Sequence, residues 1–473
     1  MTAAATTSLR PVIVGAGPAG VRAAVTLAAA GLNPVLVDEA ARPGGQIYRQ
    51  PPAGLTRPPE ALYGFEAAKA RAIHTALAPY AGQIDHYTET LVWNIEHGAL
   101  DLMNRDASGQ PVSTVLPYDS LILATGATDR ILPLPGWTRP GVYTLGGAQI
   151  ALKAQGCGIG KRVVFAGTGP LLYLIAYQYA KAGATVAAVL DTAPFVNRIH
   201  ALPGLLACPD TLLKGLYYTA WLSLHDVPLH SGVTLREISG PDGTVAALHW
   251  RDAKGRDRET ACDGIGLGYG LRSETQLADL AGCRFAFNDL HRVWLPERDD
   301  AGRTSVAGVY VAGDGAGIAG ADAAEAAGER AALALLQDRG LPVDPTRVTA
   351  LDRRLARFRR FSSALWTAFP VPAGWAHDLP DSMTLCRCEE ITVGTLRQTV
   401  RTDTPTELNR LKALSRIGMG RCQGRMCGVA AAEVLAHETG RPVSAIARLR
   451  PQPPIKPLPA ATLPAPVSGE DTP

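Results

Sequence analysis

Four of the eight cysteines in this 473-residue chain fall within the 42 residues from Cys386 to Cys427. They stand as Cys386-Arg387-Cys388 and, 33 residues further on, Cys422-Gln423-Gly424-Arg425-Met426-Cys427. Thiolates are soft ligands suited to iron–sulfur clusters or to zinc. Zinc sites draw on cysteine pairs with roughly two to four residues between them. Here one residue lies inside the first pair and four inside the second. A one-residue gap suits two ligands offered to an iron by one short extended segment. Gly418, Gly420, Gly424 and Gly428 allow backbone N–H groups to point at sulfur, and Arg387, Arg416, Arg421 and Arg425 would balance a negatively charged centre. Cys386, Cys388, Cys422 and Cys427 therefore read first as ligands of a [2Fe–2S] cluster, with zinc or four structural thiols as the alternatives. Cys157, Cys208, Cys262 and Cys283 stand singly. Met1 to Leu9 has no cationic start and no apolar run, so a secretory signal and a disulfide framework are not expected.

A second chemistry is written in glycine. Pro11-Val12-Ile13-Val14 is a short apolar strand that runs into Gly15-Ala16-Gly17-Pro18-Ala19-Gly20, then an alanine-rich helix to Ala30 closed by Gly31. A second strand, Val35-Leu36-Val37, ends at Asp38-Glu39. Glycines at this turn let a pyrophosphate approach the helix N-terminus, and an acid about 20 residues on takes ribose hydroxyls. The pattern recurs: Arg162–Ala166 leads to Gly167-Thr168-Gly169-Pro170-Leu171-Leu172, a helix to Gly183 and a strand ending at Asp191. Leu172 replaces the third glycine there, and no arginine directly follows that strand, Arg198 being the nearest. The second unit is expected to fold as β-α-β with its nucleotide occupancy open, a 2′-phosphate being disfavoured. Leu121–Gly126 and Val309–Gly315 are further strands ending in small-residue turns, the latter followed by a helix from about Ala321 to Leu336.

The succession of GAGPAG, Arg42-Pro43-Gly44-Gly45-Gln46, ATG at 124–126, GTGPLL and AGDGAG at 312–317 resembles the two-dinucleotide flavoproteins related to thioredoxin reductase and glutathione reductase, over residues 10–340. The resemblance implies an α/β fold of Rossmann-like units: an FAD-binding domain in two parts, 1–130 and 262–340, around an inserted NAD(P)-type domain, 131–261. It implies that Gly15, Gly17, Pro18, Ala19 and Gly20 hold the pyrophosphate and that Asp38, with Glu39, holds the adenosine ribose. Gly44, Gly45 and Gln46 would line the isoalloxazine, Ala124-Thr125-Gly126 close over the cofactor, and Gly313 and Asp314 contact the ribityl chain or pyrophosphate. The inserted segment has no CxxC pair, and no CxxxxC follows the first fingerprint, so disulfide reduction is not implied. Residues 385–435 resemble the bacterioferritin-associated-ferredoxin type of [2Fe–2S] domain. This places a small α-rich [2Fe–2S] domain at 381–445. The whole chain, with Pro140–Tyr143, Gly146–Gln149 and Gly268–Leu271 as further marks, resembles the larger FAD/[2Fe–2S] subunit of bacterial multisubunit amine dehydrogenases: opine oxidases, D-hydroxyproline dehydrogenases and hydrogen cyanide synthase. That family implies FAD and a [2Fe–2S] cluster here, with a second nucleotide (NAD-type or ATP) left open. It also implies a smaller FAD-dependent amine-oxidase-like partner where the small-molecule amine is oxidised, a third small subunit, and a peripheral link from a cytoplasmic complex to a membrane electron acceptor.

Composition sets the frame. Glycine (49) and proline (36) exceed average usage, which is about 12% for the two together, as suits backbone brought close to ligands. The net charge of +3 is too small for bulk attraction to nucleic acid. It divides into +7 over residues 341–450 against −3 over residues 1–340. Within a basic linker region, 341–380, the run Leu351–Phe361 interleaves Arg353, Arg354, Arg357, Arg359 and Arg360 with Leu355, Phe358 and Phe361 at helical spacing. It reads first as a helix on its own body and second as a partner interface; Trp366, Phe369 and Trp375 read as core or docking anchors. Val163–Ala180 lacks charge but is broken by Gly167–Pro170, so it reads as strand, loop and helix rather than a membrane span. Residues 446–473 are proline-rich and read as a flexible tail. None of the ten histidines pairs with cysteine or carboxylate at ligand spacing, and no catalytic acid, base or nucleophile is named.

Overall fold

The computed structural model describes residues 10–52, 54, 55 and 57–459. Two five-stranded parallel sheets organise it. The first runs Val309–Val311, Ser120–Leu123, Pro11–Val14, Val35–Val37, Asp85–Tyr87; the second runs Leu229–Ser231, Thr185–Asp191, Arg162–Thr168, Gly264–Tyr269, Val142–Thr144. The strand that leads into each glycine turn lies at the centre of its sheet. Both central strands are nearly continuous runs of buried apolar residues, as covered parallel strands require. Their turns open at the C-terminal edge, where ligands bind in this architecture. The chain leaves the first sheet after Ser120–Leu123 and returns with Val309–Val311. The second sheet takes in Gly264–Tyr269, so the return begins later than the boundary expected at residue 261.

Small residues let helices close on the first sheet. Helices Pro18–Ala29 and Ala321–Asp338 lie against each other, and a Cβ on Gly328 would fall 2.0 Å from the Ala19 carbonyl oxygen. The uncharged stretch 163–180 divides into strand Arg162–Thr168 and helix Pro170–Lys181. Among the described residues no helix is long and apolar enough to cross a membrane. The arginine-rich run belongs to helix Pro345–Ala368, capped by Asp344 accepting from Thr346 N–H at 2.8 Å. Its Leu351, Leu355, Phe358 and Phe361 are buried with helices Ala321–Asp338 and Val196–Leu205, so this face is spent on the chain's own core. The open apolar face lies elsewhere. Phe195, Ile199, Leu202 and Leu206, with Leu213 and Leu216 of helix Pro209–Leu224, are exposed at helical spacing.

The C-terminal cysteines sit in a module with its own core: Leu385, Leu396, Leu411, Ala430, Leu435 and Ile446 pack among helices Val393–Asp403, Leu408–Ser415 and Gly428–Thr439. Two tryptophans anchor it, Trp137 Nε1 donating to Thr384 O at 2.7 Å and Trp375 Nε1 to Pro133 O at 3.1 Å. Ion pairs complete the junction: Arg425 with Glu274 (2.8 Å), Arg292 with Glu433 (2.7 Å), and Arg448 with Asp279. The expected flexible tail is corrected for residues 446–459, since 460–473 lie outside the described residues. Ile455 is only 2% exposed and its N–H donates to Trp93 O at 3.1 Å, while Lys456 pairs with Glu39. Proline keeps this segment extended, and a buried isoleucine with two ion pairs outweighs the entropy of leaving it loose.

The Glu274 and Arg425 side chains are 13% and 12% exposed, whereas Arg292 is 40% exposed. Removing one partner of a buried pair leaves an uncompensated charge. Glu274→Ala is expected to destabilise the docked module by about 3–5 kcal/mol, and Arg292→Ala by about 1 kcal/mol or less. Urea denaturation of the full chain, followed by tryptophan fluorescence, measures both.

Candidate functional site

The first glycine turn is shaped by close approach. A Cβ on Gly15 would lie 2.3 Å from Ala124 O, and one on Gly20 would lie 1.7 Å from Gly15 O. Neither position tolerates a side chain, because helix, strand and the Ala124-Thr125 turn meet there. Gly17 is different: its side faces only Gly45 Cα, at 3.8 Å. It leaves space at the N-terminus of helix Pro18–Ala29, where backbone N–H groups and the helix dipole favour an anion. Gly44 and Gly45 both have positive φ, and Gly44 N–H donates to Ala16 O at 2.9 Å, which places the Gly44–Gln46 loop over the turn. Gln46 is exposed and accepts from Arg49 at 2.9 Å.

The acids take distinct roles. Asp38 ends strand Val35–Val37 and accepts from Ala16 N–H at 2.5 Å and Ala40 N–H at 2.6 Å. Burial raises its pKa against these two bonds. Glu39 points instead to Lys456. Asp314 follows strand Val309–Val311; one carboxylate oxygen accepts from Ala319 and Gly320 N–H at 2.8 and 3.0 Å, fixing the entry to helix Ala321–Asp338. Burial raises its pKa as well. Thr125 Oγ donates to Glu274 O at 2.5 Å, and Gly126 has positive φ. Turn, acids and Gly44–Gly45 loop thus meet at one edge of the first sheet, and a cradle that a single Cβ at Gly45 would close (2.9 Å from Gly17 Cα) fits a dinucleotide such as FAD.

The second unit differs in the places that matter for a ligand. Gly167 is again forced by close approach, a Cβ there falling 1.7 Å from Gly268 O. Leu172, however, is fully buried in a core with Leu145, Val163 and Ile175. Asp191, at the ribose position, is fully buried and both of its oxygens are engaged: Ala193 N–H donates at 2.9 Å, Tyr173 OH at 2.9 Å and Arg198 at 2.7 Å. Arg198 also lies over the rings of Tyr173 and Phe369, at 4.9 and 5.1 Å. The arginine singled out by its distance from the strand therefore turns back onto the acid.

The four clustered cysteines come together as two neighbouring pairs. Cys386 interacts directly with Cys427, and Cys388 with Cys422. The Cys386 thiol is lowered to about 6, first by the Cys427 thiol donating to it and then, against burial, by the backbone N–H groups of Glu389, Gly418 and Cys388. The Cys427 thiol is raised by that same neighbour and by burial. Among the described residues no three His, Cys, Asp or Glu side chains are grouped to hold a single metal ion. Four thiols with backbone donors aimed at sulfur form a donor set that suits an iron–sulfur group. A Cβ on Gly420 would lie 2.3 Å from Cys388 Cβ, so that glycine permits the loop to close. Of the arginines expected to balance the site, Arg416 is paired with Glu389 (2.9 Å), Arg425 with Glu274, and Arg387 lies over Trp137.

What joins the two sites is a segment that motif spacing does not mark. Strand Leu271–Ser273 and the following Glu274 alternate in direction, as extended backbone must. Arg272 donates to Arg425 O at 3.0 Å and the Glu274 carboxylate accepts from Arg425 at 2.8 Å, both reaching the loop between Cys422 and Cys427. Ser273 Oγ, between them, donates to Asp314 O at 2.6 Å, and the Glu274 backbone is bonded to Thr125 and to Gly126 O (3.0 Å). The sequence signal is limited to charged residues, Arg272 and Glu274, beside a glycine-marked strand end.

Residues 9–341 match the pyridine nucleotide-disulphide oxidoreductase family, and residues 384–466 match the sarcosine oxidase A3 domain. The chain is 38% identical over 469 residues to an opine oxidase subunit from Agrobacterium tumefaciens (strain Ach5), covering 95% of this chain and 90% of that protein. It is 34% identical over 466 residues to hydrogen cyanide synthase subunit HcnB of Pseudomonas aeruginosa, covering 96% and 97%. Among solved structures, L-proline dehydrogenase from P. horikoshii shares the fold with a TM-score of 0.72 at 18% identity, over 96% of this chain and 78% of that one. Together with the two parallel sheets and the glycine turns, these matches establish that the chain belongs to the pyridine nucleotide-disulphide oxidoreductase family and, along nearly its whole length, to the family that holds this opine oxidase subunit and HcnB.

Proposed function

We propose that the chain is the electron-transferring FAD/[2Fe–2S] subunit of a multisubunit dehydrogenase or oxidase that acts on an opine, imino acid or related amino acid. Oxidation of the amine takes place at a flavin in a smaller partner protein. The single observation that carries this reading is the 272–274 segment, whose successive residues contact the dinucleotide turn and the cysteine loop. When bound, FAD exchanges electrons singly or in pairs and an iron–sulfur cluster takes one at a time, so the pair suits relay between unlike donors and acceptors. Gly15, Gly17 and Gly20 with the Gly44–Gln46 loop would hold the flavin nucleotide, and Cys386, Cys388, Cys422 and Cys427 the cluster. The division into a discontinuous FAD domain, an inserted Rossmann-like domain and a C-terminal cluster domain belongs to the same proposal. A partner protein is supported by the relatives, which are named as subunits, and by the apolar face left open on helices Val196–Leu205 and Pro209–Leu224.

The second Rossmann-like unit is read as structural, because Asp191 has its oxygens engaged by Ala193, Tyr173 and Arg198. This separates the proposal from a self-sufficient NAD(P)H-dependent reductase, and anaerobic mixing with NADH or NADPH is expected to leave the flavin absorption of the full chain unchanged. Rapid bleaching would favour the reductase.

The purified full chain is expected to carry FAD with iron and acid-labile sulfide in equal amounts, and to oxidise no opine or imino acid until the partner is added. Cys386→Ser and Cys422→Ser are each expected to lose iron and sulfide while keeping FAD. Zinc without sulfide, or full amine oxidation by the isolated chain, contradicts the reading.

A further inference from the structure

The loop between Cys422 and Cys427 lies among more guanidinium than carboxylate. Arg425 is matched by Glu274 and Arg292 by Glu433, each through a direct ion pair. Among the described residues Arg272 has no such partner: its Nη2 donates to the Arg425 carbonyl at 3.0 Å, and its Nε is sealed from solvent with no hydrogen bond. Burial pushes this guanidinium downward in pKa, while Glu274, Cys422 and Cys427 draw it back. Its neighbour Arg130 is fully buried and likewise makes no ion pair among the described residues, donating to His291 O at 2.6 Å beneath the Trp366 ring. Buried positive charge of this kind is costly unless something anionic faces it. The charged and thiol groups around Arg272 are the Arg425–Glu274 pair, Arg130, Cys422 and Cys427.

We propose that Arg272 is the positioning residue that compensates the negative charge of the cysteine-held cluster and so sets how readily it accepts an electron. The proposal rests on the reading that Cys386, Cys388, Cys422 and Cys427 hold a [2Fe–2S] cluster. Such a cluster with four thiolates is anionic and becomes more so on taking one electron, so a fixed cation bonded to the Arg425 carbonyl inside the Cys422–Cys427 loop favours the reduced form. Glu274 opposes it: with Glu274 paired to Arg425, the three side chains Arg272, Glu274 and Arg425 carry one net positive charge. Charge at 272 and charge at 274 should therefore move the cluster in opposite directions, which no loss of packing would do.

The test is an anaerobic redox titration of the full holo-chain, with the reduced cluster read by EPR and the flavin by absorbance. Arg272→Gln is expected to shift the oxidised-to-reduced ratio of the cluster about tenfold toward oxidised at fixed ambient potential, 59 mV for a one-electron couple. Arg272→Lys, which keeps the charge, is expected to stay near the natural protein. Glu274→Gln is expected to shift the ratio toward reduced. The flavin titration should move far less in all three. Arg272→Gln with an unshifted cluster, or Arg272→Gln and Glu274→Gln shifting it the same way, overturns the proposal. Should Arg272→Gln fail to retain iron, Glu274→Gln decides alone: a shift toward reduced supports the proposal, and no shift or the reverse overturns it. Natural protein without iron and sulfide would instead defeat the cluster reading beneath it, and this proposal with it.

Discussion

Glu274 and Arg425 are withdrawn from water together, and either would be a poor tenant of that site without the other. Their pairing constrains much more than two side chains. Glu274 can reach Arg425 only while strand Leu271–Ser273 stays in register with Ala127–Asp129, where Arg272 lies opposite Thr128. That register aims Ser273 at Asp314 and brings the Glu274 backbone to Thr125 and Gly126. A one-residue slip would turn every one of these groups to the other face. The geometry of the dinucleotide edge and the placement of the cysteine loop are thus a single requirement. Arg425 extends it further by donating to Ile455 O at 2.7 Å, while the Ile455 N–H is held by Trp93 O, so the C-terminal segment is fixed from both sides.

The two glycine turns show how one backbone motif serves two purposes. In each, the first glycine is demanded by sheet and turn packing, at Ala124 O in one and Gly268 O in the other. This part of the motif reports fold. The ligand is reported by the other positions, and there the units separate. Gly17 and Gly45 keep backbone against backbone where a phosphate would approach, while Leu172 is packed into the core and Asp191 is occupied by its own neighbours. Both acids accept backbone N–H groups, but only Asp191 is held in addition by a tyrosine and an arginine, Tyr173 and Arg198.

Features that depend on local backbone demand are legible in the sequence. The β-α-β units, the break inside 163–180 and the helix after Asp314 follow from glycine, proline and apolar runs within a few residues of one another. The pairing of Cys386 with Cys427 and of Cys388 with Cys422 lies beyond spacing, although the grouping of the four does not. Long-range charge is illegible: Glu274 and Arg425 are 151 residues apart, and nothing local links one to the other. The same holds for the arginines of the cysteine module, which look like counter-ions in sequence but are mostly committed to Glu389, Glu274 and Trp137. The proline-rich end misleads because composition reports stiffness, whereas docking depends on Ile455 and Lys456 meeting Trp93 and Glu39. The arginine-rich helix packs on its own body, as its apolar spacing predicts, whereas Phe195, Ile199, Leu202 and Leu206 have the same kind of spacing and stay exposed, so spacing marks an apolar face without saying what covers it.

If the bridging segment joins two redox sites, an electron placed on the flavin must reach the cysteine module within one molecule. Photoreduction of the flavin in the anaerobic full chain, with cluster absorption followed in time, tests this most directly. Cluster reduction is expected at a first-order rate that does not change with protein concentration. A rate rising in proportion to concentration, or a flavin that stays reduced beside an oxidised cluster, would contradict it.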